Sequence, residues 1–137
     1  MSVSVSLLRQ TFRKKERLCS RKIIQDLAAN GKSFNDFPLR LIWLPAILPF
    51  NVPFQTTFTV PKRNFKNAAD RNLIKRRLRE AYRKNKSFLY ALKLKDSFQF
   101  ALLLVFTGKD KLTYIETERR LKNILLNLAE EIKKNYC

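Results

Sequence analysis

Three stretches of the chain bring apolar residues back every three or four positions, and the stretches between them carry alternating or continuous apolar runs. In SRKIIQDLAANG, Ile23, Ile24, Leu27 and Ala28 fall at helical spacing, Ser20 is an acceptable N-cap, and Gly31 stands where a left-handed C-terminal cap belongs. The pattern predicts a short helix over 20–30 with that stripe in the core. FPLRLIW alternates enough for a strand over 37–43, and a second strand is predicted around 54–60, beyond a loop punctuated by Pro45, Pro49 and Pro53. That loop, LPAILPFNVP, is unusually apolar; packing against the domain is the plain reading and a patch facing a partner the sharper one.

Over 66–86 the period returns to that of a helix, with Ile74, Leu78, Ala81 and Tyr82 on one face. SFQFALLLVFT, at 97–107, is a continuous apolar run of strand length and predicts a central strand. A closing helix starts at a capping box of Thr113 and Glu116 and shows a core face of Leu121, Ile124, Leu125, Leu128 and Ile132. The elements read from the pattern, a helix, two strands, the basic helix, a strand and a closing helix, make an α+β domain; with one strand more than the pattern places, the expected order is α-β-β-β-α-β-α, a single sheet of about four strands packed with three helices. At 137 residues and 45% hydrophobic composition there is core enough for one domain, 1–137, and too little for two. Residues 1–15 lack clear periodicity and are expected to be loosely held.

Charge sharpens this picture. With 29 Lys and Arg against 11 Asp and Glu, the net charge of +18 strains a small fold unless a polyanion neutralises it. The cations are not spread evenly: 62–86 holds 11 of them against two acids, and 9–22 holds seven against one. On the basic helix, Arg71, Lys75 and Arg79 form one i, i+4 row, and Asn72, Arg76 and Arg83 form another. Like charges at that spacing oppose the helix by a few tenths of a kcal/mol per pair, about 0.2–0.5, so tertiary burial has to hold it. Guanidinium groups so placed suit phosphate, which they bridge with two hydrogen bonds. An anionic membrane is the competing polyanion, but no run of about 18 apolar residues exists and MSVSVSLLRQTFRKK does not read as a secretory signal.

Side-chain catalysis finds little support. There is no histidine, and acids such as Glu116, Glu118, Glu130 and Glu131 sit in helical contexts without a nucleophile beside them. The two glycines cannot build a phosphate cradle. Cys19 and Cys137 lack the spacing of a metal site or a disulfide framework and are expected as reduced thiols in a cytosolic protein. No catalytic and no metal-ligating residue is therefore assigned. No helix-turn-helix, zinc-finger or leucine-heptad spacing flanks the basic helix, and the aromatic octapeptide of the common RNA-binding sheet is missing. Composition and pattern stop at one basic domain for nucleic acid, with structured RNA favoured. A structural RNA-binding protein of ribosomal type and a DNA-binding regulator are the competing classes.

VPKRNFKNAADRNLIKRRLREAYR, Val60 to Arg83, resembles the protein subunit of bacterial ribonuclease P, whose signature is a Lys-Lys or Lys-Arg pair at a strand end followed by Ala-Val-x-Arg-Asn-Arg-x-Lys-Arg on a helix. Val-Pro-Lys-Arg before the motif and Arg-Glu-Ala-Tyr-Arg after it are similar to the Bacteroidetes form. RLCSRKIIQDLAANGKSF and TYIETERRLKNIL extend the likeness over Arg17 to Leu128. The resemblance implies a ribosomal-protein-like α+β fold with a left-handed βαβ crossover, against the usual right-handed rule. It implies a cytoplasmic ribonucleoprotein endonuclease that removes the 5′ leader of precursor transfer RNA, with one protein per RNA subunit and with the catalytic centre and its magnesium on that RNA. It assigns RNA binding to Lys62, Arg63, Lys66, Arg71, Asn72, Lys75, Arg76 and Arg79, and the leader cleft, between first helix and sheet, to Ile24, Phe37 and Arg40. There are two departures from the family: Leu73 stands for the second Arg of Arg-Asn-Arg, with Arg77 or Lys75 as substitutes, and Ile24 and Ala28 stand for two cleft aromatics, with Phe12 or Phe34 as substitutes.

Overall fold

The computed structural model describes residues 11–137. Its elements run α1 (Arg21–Asn30), β1 (Lys32–Asp36), β2 (Leu39–Pro45), β3 (Phe54–Thr59), α2 (Ala68–Asn85), the single turn α3 (Ser87–Tyr90), β4 (Phe100–Phe106) and α4 (Tyr114–Tyr136). The sheet order is β1-β2-β4-β3. β1 and β2 pair antiparallel, as do β2 and β4, whereas β3 and β4 run parallel and are joined through α2 and α3. The single sheet of four strands and the order agree with the expected α-β-β-β-α-β-α; β1 and the single turn α3 are the elements that left no periodic signal.

Register sorts the side chains into two faces. Leu41, Leu104 and Phe58 lie in one cross-strand row, and Trp43, Leu102 and Thr56 in the next, on the face that α2 and α4 cover. The predicted helix faces meet there: Ile74, Leu78, Ala81 and Tyr82 of α2 and Leu121, Ile124, Leu125, Leu128 and Ile132 of α4 are all buried. Phe100 stacks on Phe54 with ring centroids 5.7 Å apart and meets Tyr136 edge-on at 5.0 Å. Such ring pairs add about 0.5–1.5 kcal/mol each beyond area burial. The other face carries the rows Arg40, Val105, Thr59 and Ile42, Leu103, Thr57, and among the described helices it is α1 that packs there.

Several expectations change in detail. Ser20 does cap α1, accepting the Ile23 amide at 3.3 Å, but Gly31 has φ −71° and is no left-handed cap. The glycine is needed for space: a Cβ there would stand 2.5 Å from Ile42 Cγ2 and 2.6 Å from the Leu27 carbonyl oxygen. Of the α1 stripe only Leu27 is buried; Ile23 and Ile24 are half-buried and Ala28 is exposed. The strand read over 37–43 starts at Leu39, because Phe37 and Pro38 form the turn of a hairpin whose first arm, β1, is a polar edge strand with no alternation to betray it. The apolar loop over 44–53 divides between its two readings. Leu48 is buried and donates its amide to Gln99 Oε1 at 3.0 Å, while Ile47 and Phe50 are exposed. The looseness expected for 1–15 falls partly outside the described residues; 11–15 are held, as described below. Among the described residues no helix is long and apolar enough to cross a membrane.

Candidate nucleic-acid interface

Burial of one face of α2 fixes where its cations point. Asn67 caps the helix by accepting the Ala69 amide at 2.8 Å. Around the cylinder from the buried residues, Arg71 and Lys75 are half-buried, and Asn72, Arg76 and Arg79 are exposed. Lys62 and Arg63 are exposed in the turn after β3, and Lys66 is exposed just before the helix, so the eight residues assigned to RNA lie on α2 and the segment leading into it. They are not equivalent. The Arg71 guanidinium donates to the carbonyls of Phe65 at 2.7 Å and Lys66 at 3.0 Å, which ties the entry loop to the helix. Arg77, offered as a stand-in for the arginine missing at Leu73, turns away and donates to the Leu112 carbonyl. Lys75, the other stand-in, faces a groove. The two acids nearby are engaged: Asp70 with Lys111 at 2.7 Å, and Glu80 with Arg83 at 3.2 Å.

The groove has a volume of about 450 Å³ and runs between Lys75 and Arg79 of α2, Thr57 of the edge strand β3, and a strip of chain carrying Phe12 and Arg17. Phe12 packs edge-on against Phe58 at 5.8 Å and Tyr82 at 5.7 Å, and the Arg17 guanidinium carbon stands 5.8 Å from its ring centre. What holds the strip is a buried ion pair. Lys86, only 1% exposed, donates to Glu16 Oε1 and to the Thr11 carbonyl; the Tyr90 hydroxyl donates to the same Glu16 oxygen at 2.6 Å. The Arg13 amide reaches Glu16 Oε2 at 3.1 Å, Gln55 Nε2 donates to the Lys15 carbonyl at 2.8 Å, and the Leu18 amide donates to the Thr56 carbonyl at 3.0 Å. Burial pushes the Glu16 carboxyl up, but the hydrogen bonds from Lys86, Tyr90 and the Arg13 amide outweigh it and hold the group below the usual range. Burial also pushes the Tyr90 phenol well above its ordinary value, so it stays a donor.

The three residues read as a leader cleft separate. Ile24 is half-buried against the small cluster of Leu18, Leu27 and Leu103. Arg40 is exposed on the same α1 face of the sheet, in the row with Val105 and Thr59. Phe37 lies off that face, at the β1–β2 turn. Among the described residues no strand side chain on the α1 face is aromatic. Phe34, opposite Leu41 in the register, points to the other face, so Phe12 is the aromatic substitute that reaches the basic helix. Among the described residues no three His, Cys, Asp or Glu side chains come together as a metal-binding group.

Residues 12–130 match the family model of ribonuclease P. The chain belongs to the ribonuclease P protein family. It is 31% identical over 120 residues to the ribonuclease P protein component of Porphyromonas gingivalis, covering 87% of each chain, in keeping with the Bacteroidetes-like motif. It is 38% identical over 79 residues to that of Petrotoga mobilis, covering 58% of this chain and 64% of that one. The fold is similar to that of the ribonuclease P protein of Staphylococcus aureus, with TM-score 0.63, 17% identity, and coverage of 84% of this chain and 96% of the other. For the Thermotoga maritima protein the TM-score is 0.60 with 20% identity, covering 85% and 97%. The sequence reading offered Phe12 as a substitute aromatic but missed that the strip carrying it walls a groove beside Lys75 and Arg79. The available signal was the run TFRKKER, which mixes one ring with four cations.

Proposed function

We propose that the chain acts as the protein component of ribonuclease P in the cytoplasm, one copy per RNA subunit, and supports endonucleolytic removal of the 5′ leader from precursor transfer RNA. The observation that carries this reading is α2: a helix of a ribonuclease P family member whose buried face is anchored on the sheet and whose outward face presents Asn72, Arg76 and Arg79 beside Lys62, Arg63 and Lys66. These groups dock on phosphates of the RNA subunit. Lys75 and Arg79 face the groove, and single-stranded leader passes from it along Ile24 and Arg40. On this reading magnesium and the bond-breaking centre belong to the RNA subunit. The protein's share is electrostatic: it lowers the repulsion between two polyanions and so the magnesium concentration at which they work together.

If about six phosphates are neutralised, the logarithm of affinity falls against that of salt with a slope of roughly −4 to −5.5. The deciding experiment mixes the purified chain with a ribonuclease P RNA and precursor transfer RNA at low magnesium. Accelerated release of the intact leader is expected, and equal rates with and without the protein defeat the reading.

A further inference from the structure

Between α2 and the start of α4 lies an open cavity of about 300 Å³, lined by Arg76, Arg77, Glu80 and Tyr114. The backbone that presents Tyr114 is fixed. Arg77 donates to the Leu112 carbonyl, and Thr113 caps α4, accepting the Glu116 amide on its hydroxyl at 3.2 Å and the Thr117 amide on its carbonyl at 3.0 Å. The ring is held as well. Its hydroxyl donates to Glu118 Oε2 at 3.4 Å, that carboxylate is tied to α2 by Asn85 Nδ2 at 3.0 Å, and Lys84 Nζ stands 5.7 Å from the ring centre. A half-buried ring with so little freedom left to lose takes a stacking partner at low entropic cost.

The other walls indicate what that partner is. Glu80 accepts from Arg83 on both carboxylate oxygens, from Nε at 3.2 Å among them, which leaves about two of its four lone-pair sites for another donor. Arg76 is exposed at the rim, where its guanidinium suits phosphate. An aromatic face, an acceptor beside it and a cation at the mouth match an unpaired nucleotide: the base stacks, its exocyclic amine donates, and its phosphate stays outside. A volume at the low end for ligand pockets admits one such ring system. α2 and α4 cover the sheet face opposite α1, so this RNA is not the leader strand placed beside Ile24 and Arg40. We propose that the cavity receives an unpaired base of the ribonuclease P RNA subunit, with its ring on Tyr114, its amino group on Glu80 and a phosphate on Arg76. The inference rests on the ribonuclease P reading and extends the docking surface of α2 onto α4.

The test measures the affinity of the purified chain for a ribonuclease P RNA over a range of salt. Tyr114→Leu keeps an apolar side chain against the core and weakens binding about fivefold or more, with the salt slope unchanged because stacking displaces no counterion. Tyr114→Phe, which keeps the aromatic face, retains most of the affinity. Probing with dimethyl sulfate and kethoxal shows one unpaired base of the RNA subunit protected by the wild-type chain and by Tyr114→Phe, and open with Tyr114→Leu. In the reconstituted holoenzyme the ratio of affinities for precursor and leaderless product stays as in wild type. Equal affinity of Tyr114→Leu and wild type for the RNA subunit overturns the proposal, as does a protection pattern that Tyr114→Leu leaves intact. Arg76→Ala separates the two levels: if it weakens RNA-subunit binding while Tyr114→Leu is silent, only the base pocket fails, and if both are silent the interface itself is misread.

Discussion

On one face of the sheet Trp43, Phe54, Phe100 and Phe106 are at most 1% exposed beneath α2 and α4; on the other, Ile42, Leu103 and Thr57 lie beneath the ten residues of α1, with Arg40 and Thr59 open to solvent. The first face closes with rings and long helices, and the second stops short of closing. A chain of net charge +18 repels itself, and the aromatic face supplies the burial that offsets this. The α1 face, having less to hold together, can leave a polar margin, the place that the proposed function gives to an extended strand of RNA. Stability and binding are therefore expected to respond to different residues, and substitutions can test how cleanly they divide.

The largest effect belongs to the closed face. Leu104 of β4 is fully buried between α2 and α4, and Leu104→Ala is expected to cost about 3–5 kcal/mol, at the high end for a leucine truncation. Its neighbour Leu103 points to the α1 face and is 8% exposed; Leu103→Ala should cost about 2 kcal/mol, because α1 can settle into the space. Denaturant midpoints decide. Equal losses would mean that the two faces are equally well packed and the comparison fails.

Next comes the buried pair that joins the strip over 11–18 to the end of α2. Lys86→Met leaves Glu16 without its ammonium partner and should cost about 3 kcal/mol, with much of that recovered in the Glu16→Gln, Lys86→Met double variant. The pair also sets a pH dependence. Glu16 is held below its ordinary value of 4.5, so its contribution to stability is present above that pH and is lost as pH falls through the lowered folded value. Urea unfolding from neutral to acid pH should show this component in wild type and not in Glu16→Gln. Gly31→Ala follows, at about 1–3 kcal/mol, since the added methyl meets Ile42 and the Leu27 carbonyl and α1 must lift from the sheet.

The closed face was readable in the sequence because burial leaves periodicity: α2, β4 and α4 each carried a run long enough to name their buried residues. β1 was not, because KSFND is a polar edge strand held by pairing with β2. The motif named the cations of α2 correctly as residues on one helix, but charge pattern alone cannot say that Arg71 and Arg77 turn to backbone carbonyls. Nor could it reveal that Lys86 is buried, since a lysine closing a basic helix reads as one more solvated charge. The groove wall stayed hidden for the same reason: Glu16 and Lys86 are 70 residues apart, and only the fold brings them together.

The smallest effect on stability should be the largest on binding per atom removed. Arg76 is exposed on the outward face of α2, so Arg76→Ala should change stability by no more than about 0.5 kcal/mol. If its guanidinium neutralises one phosphate of the RNA subunit, affinity falls and the salt slope flattens by about one unit. Arg71→Ala should flatten the slope by a similar amount but also loosen the entry loop, because its hydrogen bonds to Phe65 and Lys66 go with it. The two variants therefore differ in melting temperature more than in salt dependence. A lowered melting temperature for Arg71→Ala with an unchanged slope would assign that arginine to the fold and leave the contact with RNA to Asn72, Arg76 and Arg79.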